Sequence, residues 1–222
     1  MDYTFQFGEV FADFPELLSG AALTLSLSLA AMAIGLLVGT LGALALDSGG
    51  RVLRAVVRVY VEAIRNTPFL VQLFLVFFGL PKLGIGLDGN QAALLAMSLN
   101  LGAYATEIIR AGVDSVGHGQ IEAARALGLK PLQIFRRIVL FQALRNVYPP
   151  LCSQFILIML ASAIVSAVAA EELSGVANNI QSRTFRSFEI YIVVTGMYLA
   201  MTLSVQALLA VIGRLAFAGR GR

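Results

Sequence analysis

GQIEAARALGLKPLQIFRRIVL, residues Gly119 to Leu140, is a polar, sharply punctuated segment in a chain that is 58% hydrophobic. Gly117-His118-Gly119 ends any preceding helix. Gln120 to Leu127 is built from good helix formers, with Glu122 near the start and Arg125 one turn later. Gly128 suits a left-handed stop, and Pro131 suits the first turn of a new helix. Ile134, Ile138 and Phe141 then recur at helical spacing beside Arg136 and Arg137. The pattern predicts a short exposed helix, a sharp turn, and a second helix able to run on into the apolar segment that follows. Such a loop fits two roles: a grip for another protein, or an amphipathic segment on lipid headgroups.

The rest of the chain sets the context. With 222 residues, a mean hydropathy of +0.83, only 13% charged residues and no Trp, it is too apolar for an ordinary soluble domain. It reads as a single integral membrane domain, residues 1–222. The one cysteine, Cys152, lies among apolar residues and reads as a small core residue. The first sixteen residues hold Asp2, Glu9, Asp13 and Glu16 but no Lys or Arg, so a cleavable signal peptide is not expected. A spanning helix needs about 20 apolar residues, and five candidates meet that ruler: residues 17–46, 59–80, 91–109, 148–170 and 188–213. A polar loop, 111–146, carries the segment quoted above, and Gly175 to Gln181 can form a short outer helix. The fourth span can start near Phe141 or near Tyr148, because Pro149-Pro150 can kink a longer helix.

Lys and Arg are retained on the cytoplasmic side. With the N-terminus outside, the cytoplasmic segments take Arg51, Arg54, Arg58, Arg65 and Arg110, the basic residues of the 111–146 loop, and Arg214, Arg220 and Arg222. Only Lys82, Arg183 and Arg186 fall outside, with Asp2, Glu9, Asp13, Glu16, Asp88, Glu171, Glu172 and Glu189. The result is +8 inside and −5 outside, in keeping with the formal +3. The basic pI thus reflects topology, and a nucleic-acid surface is not needed to explain it.

Glu122-Ala123-Ala124, Gly128 four residues after the last Ala, and Ile138 ten residues beyond that Gly resemble the EAA loop of ABC importer permeases. In that family the loop is the coupling helix that docks into the ATPase subunit. IRNTPFLVQLFLVFFGLP (Ile64 to Pro81), GAYATEIIRAGVDSVGHGQIEAARALG (Gly102 to Gly128) and QALRNVYPPLCSQFI (Gln142 to Ile156) resemble the five-span polar amino acid permeases, the histidine/glutamine/arginine type. The likeness extends more weakly through Glu172-Leu173 and Phe185-Arg186-Ser187-Phe188-Glu189, covering about Val59 to Tyr198. Two departures stand out. The family's Leu-Pro is Leu140-Phe141 here, and Leu160-Ala161-Ser162-Ala163 stands where relatives carry a Lys followed by small hydroxyl residues.

The resemblance implies an all-α type I importer permease fold with a cytoplasmic coupling helix. It further implies a dimer with a second copy or a paralogue, two cytoplasmic ABC ATPase subunits, an extracytoplasmic solute-binding protein, and a polar amino acid as cargo. The expected location is the bacterial inner membrane. No phosphate-binding Gly-x-x-x-x-Gly-Lys-Ser/Thr motif is present, so ATP is expected on a partner and no cofactor on this chain. Gly119, Glu122, Ala123, Ala124, Arg125 and Gly128 are the expected coupling residues.

For the solute path, polar residues within spans are the candidates, since they are costly there. Gln72, Asn100, Gln154 and Ser162 qualify, as does Ser166. Pro68 is expected to kink the second span and free a carbonyl toward a cavity, with Phe69 beside it. Ser162, Ser166, Gly35 and Gly39 also have the spacing of helix-packing residues. No Asp or Glu stands away from a span boundary, which disfavours a cationic solute; Glu62 with Arg65 and Glu107 with Arg110 are expected to pair at i, i+3. An enzyme is disfavoured, since the only histidine, His118, sits between glycines and no nucleophile–base motif or metal-ligand spacing occurs. A passive channel or a membrane scaffold leaves the EAA-like loop unexplained.

Overall fold

The computed structural model describes residues 5–217, and Asp2, Arg220 and Arg222 of the charge tally lie outside them. Among the described residues every regular element is helical. In chain order these are α1 (Phe7–Ala12), α2 (Phe14–Ser48), α3 (Arg51–Arg65), α4 (Phe69–Phe74), α5 (Gly89–Asp114), α6 (His118–Ala126), α7 (Pro131–Ile134), α8 (Leu140–Ala161), α9 (Leu173–Thr184) and α10 (Ser187–Phe217). A wide π turn, Phe135–Val139, joins α7 to α8, and a tight 3-10 turn, Ser162–Val168, ends α8. Four helical stretches are long and apolar enough to cross a membrane, or five if the bent pair α3 and α4 counts as one span.

α5 is the central helix, with 61% of its apolar window buried against 11% for α10. Its start is fixed by Asp88, whose carboxylate accepts from the Gln91 backbone at 2.8 Å while the Gln91 side chain accepts from the Asp88 backbone at 3.2 Å. α2 lies against α5 through small residues. A Cβ on Gly35 would meet the Leu101 side chain at 2.8 Å, and one on Gly39 would run into Ala105. Such close backbone approach is how helices associate where lipid removes the hydrophobic drive. The packing reading of Gly35 and Gly39 therefore has a direct geometric basis.

The kink expected at Pro68 in the second span, 59–80, is present and sharp: α3 begins earlier, at Arg51, and meets the α4 segment at 116°. Pro68 has no N–H for the Ile64 carbonyl, and Asn66, Thr67 and Pro68 leave the helical path there. α8 starts at Leu140, the earlier of the two expected starts, and α7 and the π turn continue it back to Pro131, so the second loop helix does run on into the apolar segment. The whole stretch, Pro131 to Val168, is 38 residues long and carries Pro149 and Pro150 within it. The 111–146 loop shrinks accordingly to the corner formed by α6 and the turn after it. Lastly, Arg65 turns to Glu107 (3.8 Å) rather than to Glu62, which accepts from Asn66 at 2.9 Å. The expected Glu107–Arg110 pair is present at 2.9 Å.

At the other end of the bundle, Arg183 reaches Glu16 at 2.8 Å and Asp13 at 3.5 Å, and Arg186 reaches Glu9 at 3.5 Å. These bridges tie α1 and the start of α2 to the α9–α10 junction. All five residues were assigned to one side by the charge tally.

Candidate functional site

The corner after α5 is built as the sequence pattern predicts. Gly128 has φ 76°, a left-handed conformation that costs a glycine little. Its N–H bonds the Arg125 carbonyl at 2.9 Å, and the Leu129 N–H bonds the Ala124 carbonyl at 3.1 Å, the paired closure of a Schellman stop. Pro131 opens α7, and Gln133 caps it by accepting from the Lys130 N–H at 2.9 Å.

The EAA residues divide by burial. Ala124 is only 3% exposed and packs in a cluster with Val116, Ile134, Val139 and Ala143. Its methyl seats α6 on the helix that follows. Gly119, Glu122, Ala123, Arg125 and Gly128 are all exposed, and neither Glu122 nor Arg125 has an ion-pair partner among the described residues. Beside them Leu127 (81% exposed) and Leu132 (67%) project outward. The corner thus combines a rigid turn, free charges and bare leucines, the composition of a docking edge. Leu127 and Leu132 are absent from the sequence-derived set, because an exposed Leu in a helical repeat looks like a core position until the neighbours are placed.

The second set of candidates lies at the α3–α4 break. The Gln72 side-chain N–H2 group donates to the Ile64 carbonyl (2.7 Å), the Thr67 carbonyl (3.0 Å) and the Thr67 hydroxyl (3.0 Å). Its carbonyl oxygen accepts from the Asn100 amide at 2.9 Å. The Ile64 carbonyl orphaned by Pro68 is therefore not open to a cavity; Gln72 captures it. Gln72 and Asn100 are 7% and 8% exposed, and they bridge α4 to α5. Phe69 packs on the cluster that contains Leu73, Met97, Ile158 and Val165. Ser162, wholly buried where α8 passes into the 3-10 turn, donates back to the Met159 carbonyl at 2.7 Å and lies beside the Tyr198 hydroxyl of α10, and Ser166 donates to the Ala163 carbonyl at 2.9 Å. Pro68 is exposed and Gln154 is half-buried.

Sequence reasoning missed a third arrangement. Glu172, counted among the outer charges, is wholly buried. It caps α9 through Gly175 N–H (2.9 Å) and accepts from Tyr198 (2.7 Å) and Thr24 (3.3 Å), fastening α9 to α10 and α2. Glu189, likewise counted outside, is also wholly buried and accepts from the Gln6 N–H at 3.0 Å. Both carboxylates stand at helix starts, so they fit the expectation that no acid lies away from a span boundary, but they are enclosed there rather than solvated. By contrast Arg183, outside the spans, is exposed, and its hydrogen bond to Glu16 raises its pKa further above the already high guanidinium value.

A family model described as "Binding-protein-dependent transport system inner membrane component" matches residues 31–217. The nopaline transport system permease protein of Agrobacterium fabrum is 36% identical over 209 residues, 90% of this chain and 87% of that protein. The glutamine transport system permease protein of Escherichia coli K12 is 34% identical over 201 residues, 90% of this chain and 92% of that one. Among solved structures, an amino acid ABC transporter crystallised with histidines superposes with a TM-score of 0.89 at 39% identity, over 96% of this chain and 99% of that one. An inward-facing methionine ABC transporter superposes with a TM-score of 0.68 at 21% identity, over 96% of this chain and 99% of that one, a likeness of fold alone.

Proposed function

The chain belongs to the family of binding-protein-dependent transport system inner membrane components, and we propose how this permease subunit couples and conducts. It is a multi-pass membrane subunit of an ABC amino acid importer. ATP is bound and hydrolysed by a partner subunit, and an extracytoplasmic binding protein delivers the solute.

In the proposed assembly two permease subunits, either two copies of this chain or this chain with a paralogue, sit on two ATPase subunits. The N-terminus lies outside and the C-terminus in the cytoplasm, as the Arg distribution favours. The exposed α6 corner enters a cleft of the ATPase, where Glu122 and Arg125 supply polar contacts, Gly119 and Ala123 permit close approach, and Gly128 sets the turn. Ala124 works from beneath, by holding α6 on the next helix. Closure of the ATPase pair moves the corners, and each corner is the foot of the same continuous helix that crosses the membrane. The observation that carries this reading is that continuity, from Pro131 to Val168 behind an exposed rigid turn.

The solute is proposed to pass beside the α3–α4 break and α8, near Pro68, Phe69, Gln154 and Ser162. Gln72 and Asn100 shape the path by holding the break, since their amides are already engaged. The test is site-directed cross-linking in the reconstituted transporter. Glu122→Cys joins a cysteine placed in the ATPase cleft, and the bond stops ATP-driven uptake until it is reduced. Uptake that persists without any ATPase would replace this reading with a channel.

A further inference from the structure

Between α8 and α10 lies an open groove of about 490 Å³ that the transport reading does not use. Its walls, from Arg145 to Ile156 and from Gln206 to Phe217, each rise about 16 Å along their helices. That matches half of a bilayer's roughly 30 Å hydrocarbon core. Tyr148 spends its hydroxyl on the Leu209 carbonyl at 2.6 Å and stacks edge-on against Phe217 at 5.4 Å, leaving its ring on the groove wall. Gly213 allows this, because a Cβ there would meet the Tyr148 ring at 2.7 Å.

One end of the groove is strongly basic. Arg145 and Arg214 are both exposed at that end, and neither pairs with a carboxylate among the described residues. Among the described residues no Asp or Glu lines the groove. An amino acid zwitterion would find no carboxylate there to pair with its ammonium group. A molecule with an anionic head and an apolar tail of leaflet length satisfies both ends, and basic pockets between spans on the cytoplasmic side suit anionic lipid headgroups.

We propose that this groove binds an anionic phospholipid, with one acyl chain between α8 and α10 and the phosphate held by Arg145 and Arg214. Cys152, the chain's single cysteine, lines the groove and reports its occupancy. The test uses the complete transporter, with its ATPase, in nanodiscs of phosphatidylglycerol or of phosphatidylcholine. Alkylation of Cys152 by a lipid-permeant maleimide is followed by mass spectrometry of its peptide. The expected result is alkylation about thirtyfold slower in phosphatidylglycerol, an effect of the size that two interfacial basic groups give. The paired change Arg145→Gln and Arg214→Gln abolishes the difference. Equal fast rates in both lipids mean an empty groove, and equal slow rates mean cover by protein. Protection that follows the transported amino acid means a solute path. Any of these three overturns the proposal.

Discussion

Two of the helix interruptions, at Asn66–Pro68 and at Leu127–Lys130, are finished in opposite ways. At Asn66–Pro68 the break is sealed from within: Gln72 takes up the orphaned carbonyl of Ile64, Asn100 takes up Gln72, and both amides are buried. At Leu127–Lys130 the backbone is closed by its own Schellman bonds, and the side chains around it are left bare. An interruption whose polar groups are all spent inside holds a shape. One that presents free charges and leucines outward offers a surface to something else.

The contrast is sharpest at Gly128. A β-branched residue at φ 76° costs about 1–2 kcal/mol of local strain, yet nothing lies within 4 Å of a Cβ there. Gly128→Val should therefore leave the bundle folded while ATP-driven uptake falls about 5–150-fold, the span of ordinary coupling free energies. Uptake and ATP hydrolysis measured on the same proteoliposomes check this, and unchanged uptake breaks the comparison. Gln72→Leu should act through stability. It strands the Ile64 carbonyl and the Asn100 amide, at about 1–3 kcal/mol for each buried group left unpaired, visible as a lower melting temperature in detergent. If Gln72→Leu instead left stability intact and altered solute selectivity, the sealed break would be a binding site after all.

Two smaller effects set the scale. Gly39→Leu forces α2 away from Ala105 on α5, and overpacking of this kind costs about 1–3 kcal/mol, read in the same melting assay. Arg183→Gln removes an exposed ion pair with Glu16, and its melting temperature should stay within error of the wild type at moderate salt.

What was legible in the sequence was local. Gly128 and Pro131 announce the corner because their backbone chemistry is intrinsic, and the long apolar runs announce the spanning helices for the same reason. Pro68 likewise announced a break, but not the answer to it. The Gln72 partner depends on which residue of α5 faces it, a matter of helix rotation that a hydropathy window averages away. Glu172 was illegible for a stronger reason. Its burial needs Thr24 and Tyr198, separated from it by 148 and 26 positions, and a carboxylate in a link between two apolar runs looks solvated until those partners arrive. Of the coupling residues, the pattern named the right neighbourhood but could not separate Ala124, which faces inward, from Ala123, which faces out.

The helix from Pro131 to Val168 extends about 57 Å at 1.5 Å per residue, nearly twice the roughly 30 Å hydrocarbon core it crosses. Its winding changes near the two ends, at Phe135–Val139 and Ser162–Val168, and Pro149 and Pro150 remove two hydrogen bonds midway. A rod of that length, braced beside those prolines by Val147 and Leu151 against Ala105 of α5 and jointed at its extremities, behaves as a lever. A few degrees of rotation imposed at the corner become a displacement of ångströms at the far tip, where Ala170 joins the cluster around Leu73 and Val168. The subunit then needs no chain of side-chain signals to report what happens at its base, because the report is carried by rigid geometry alone.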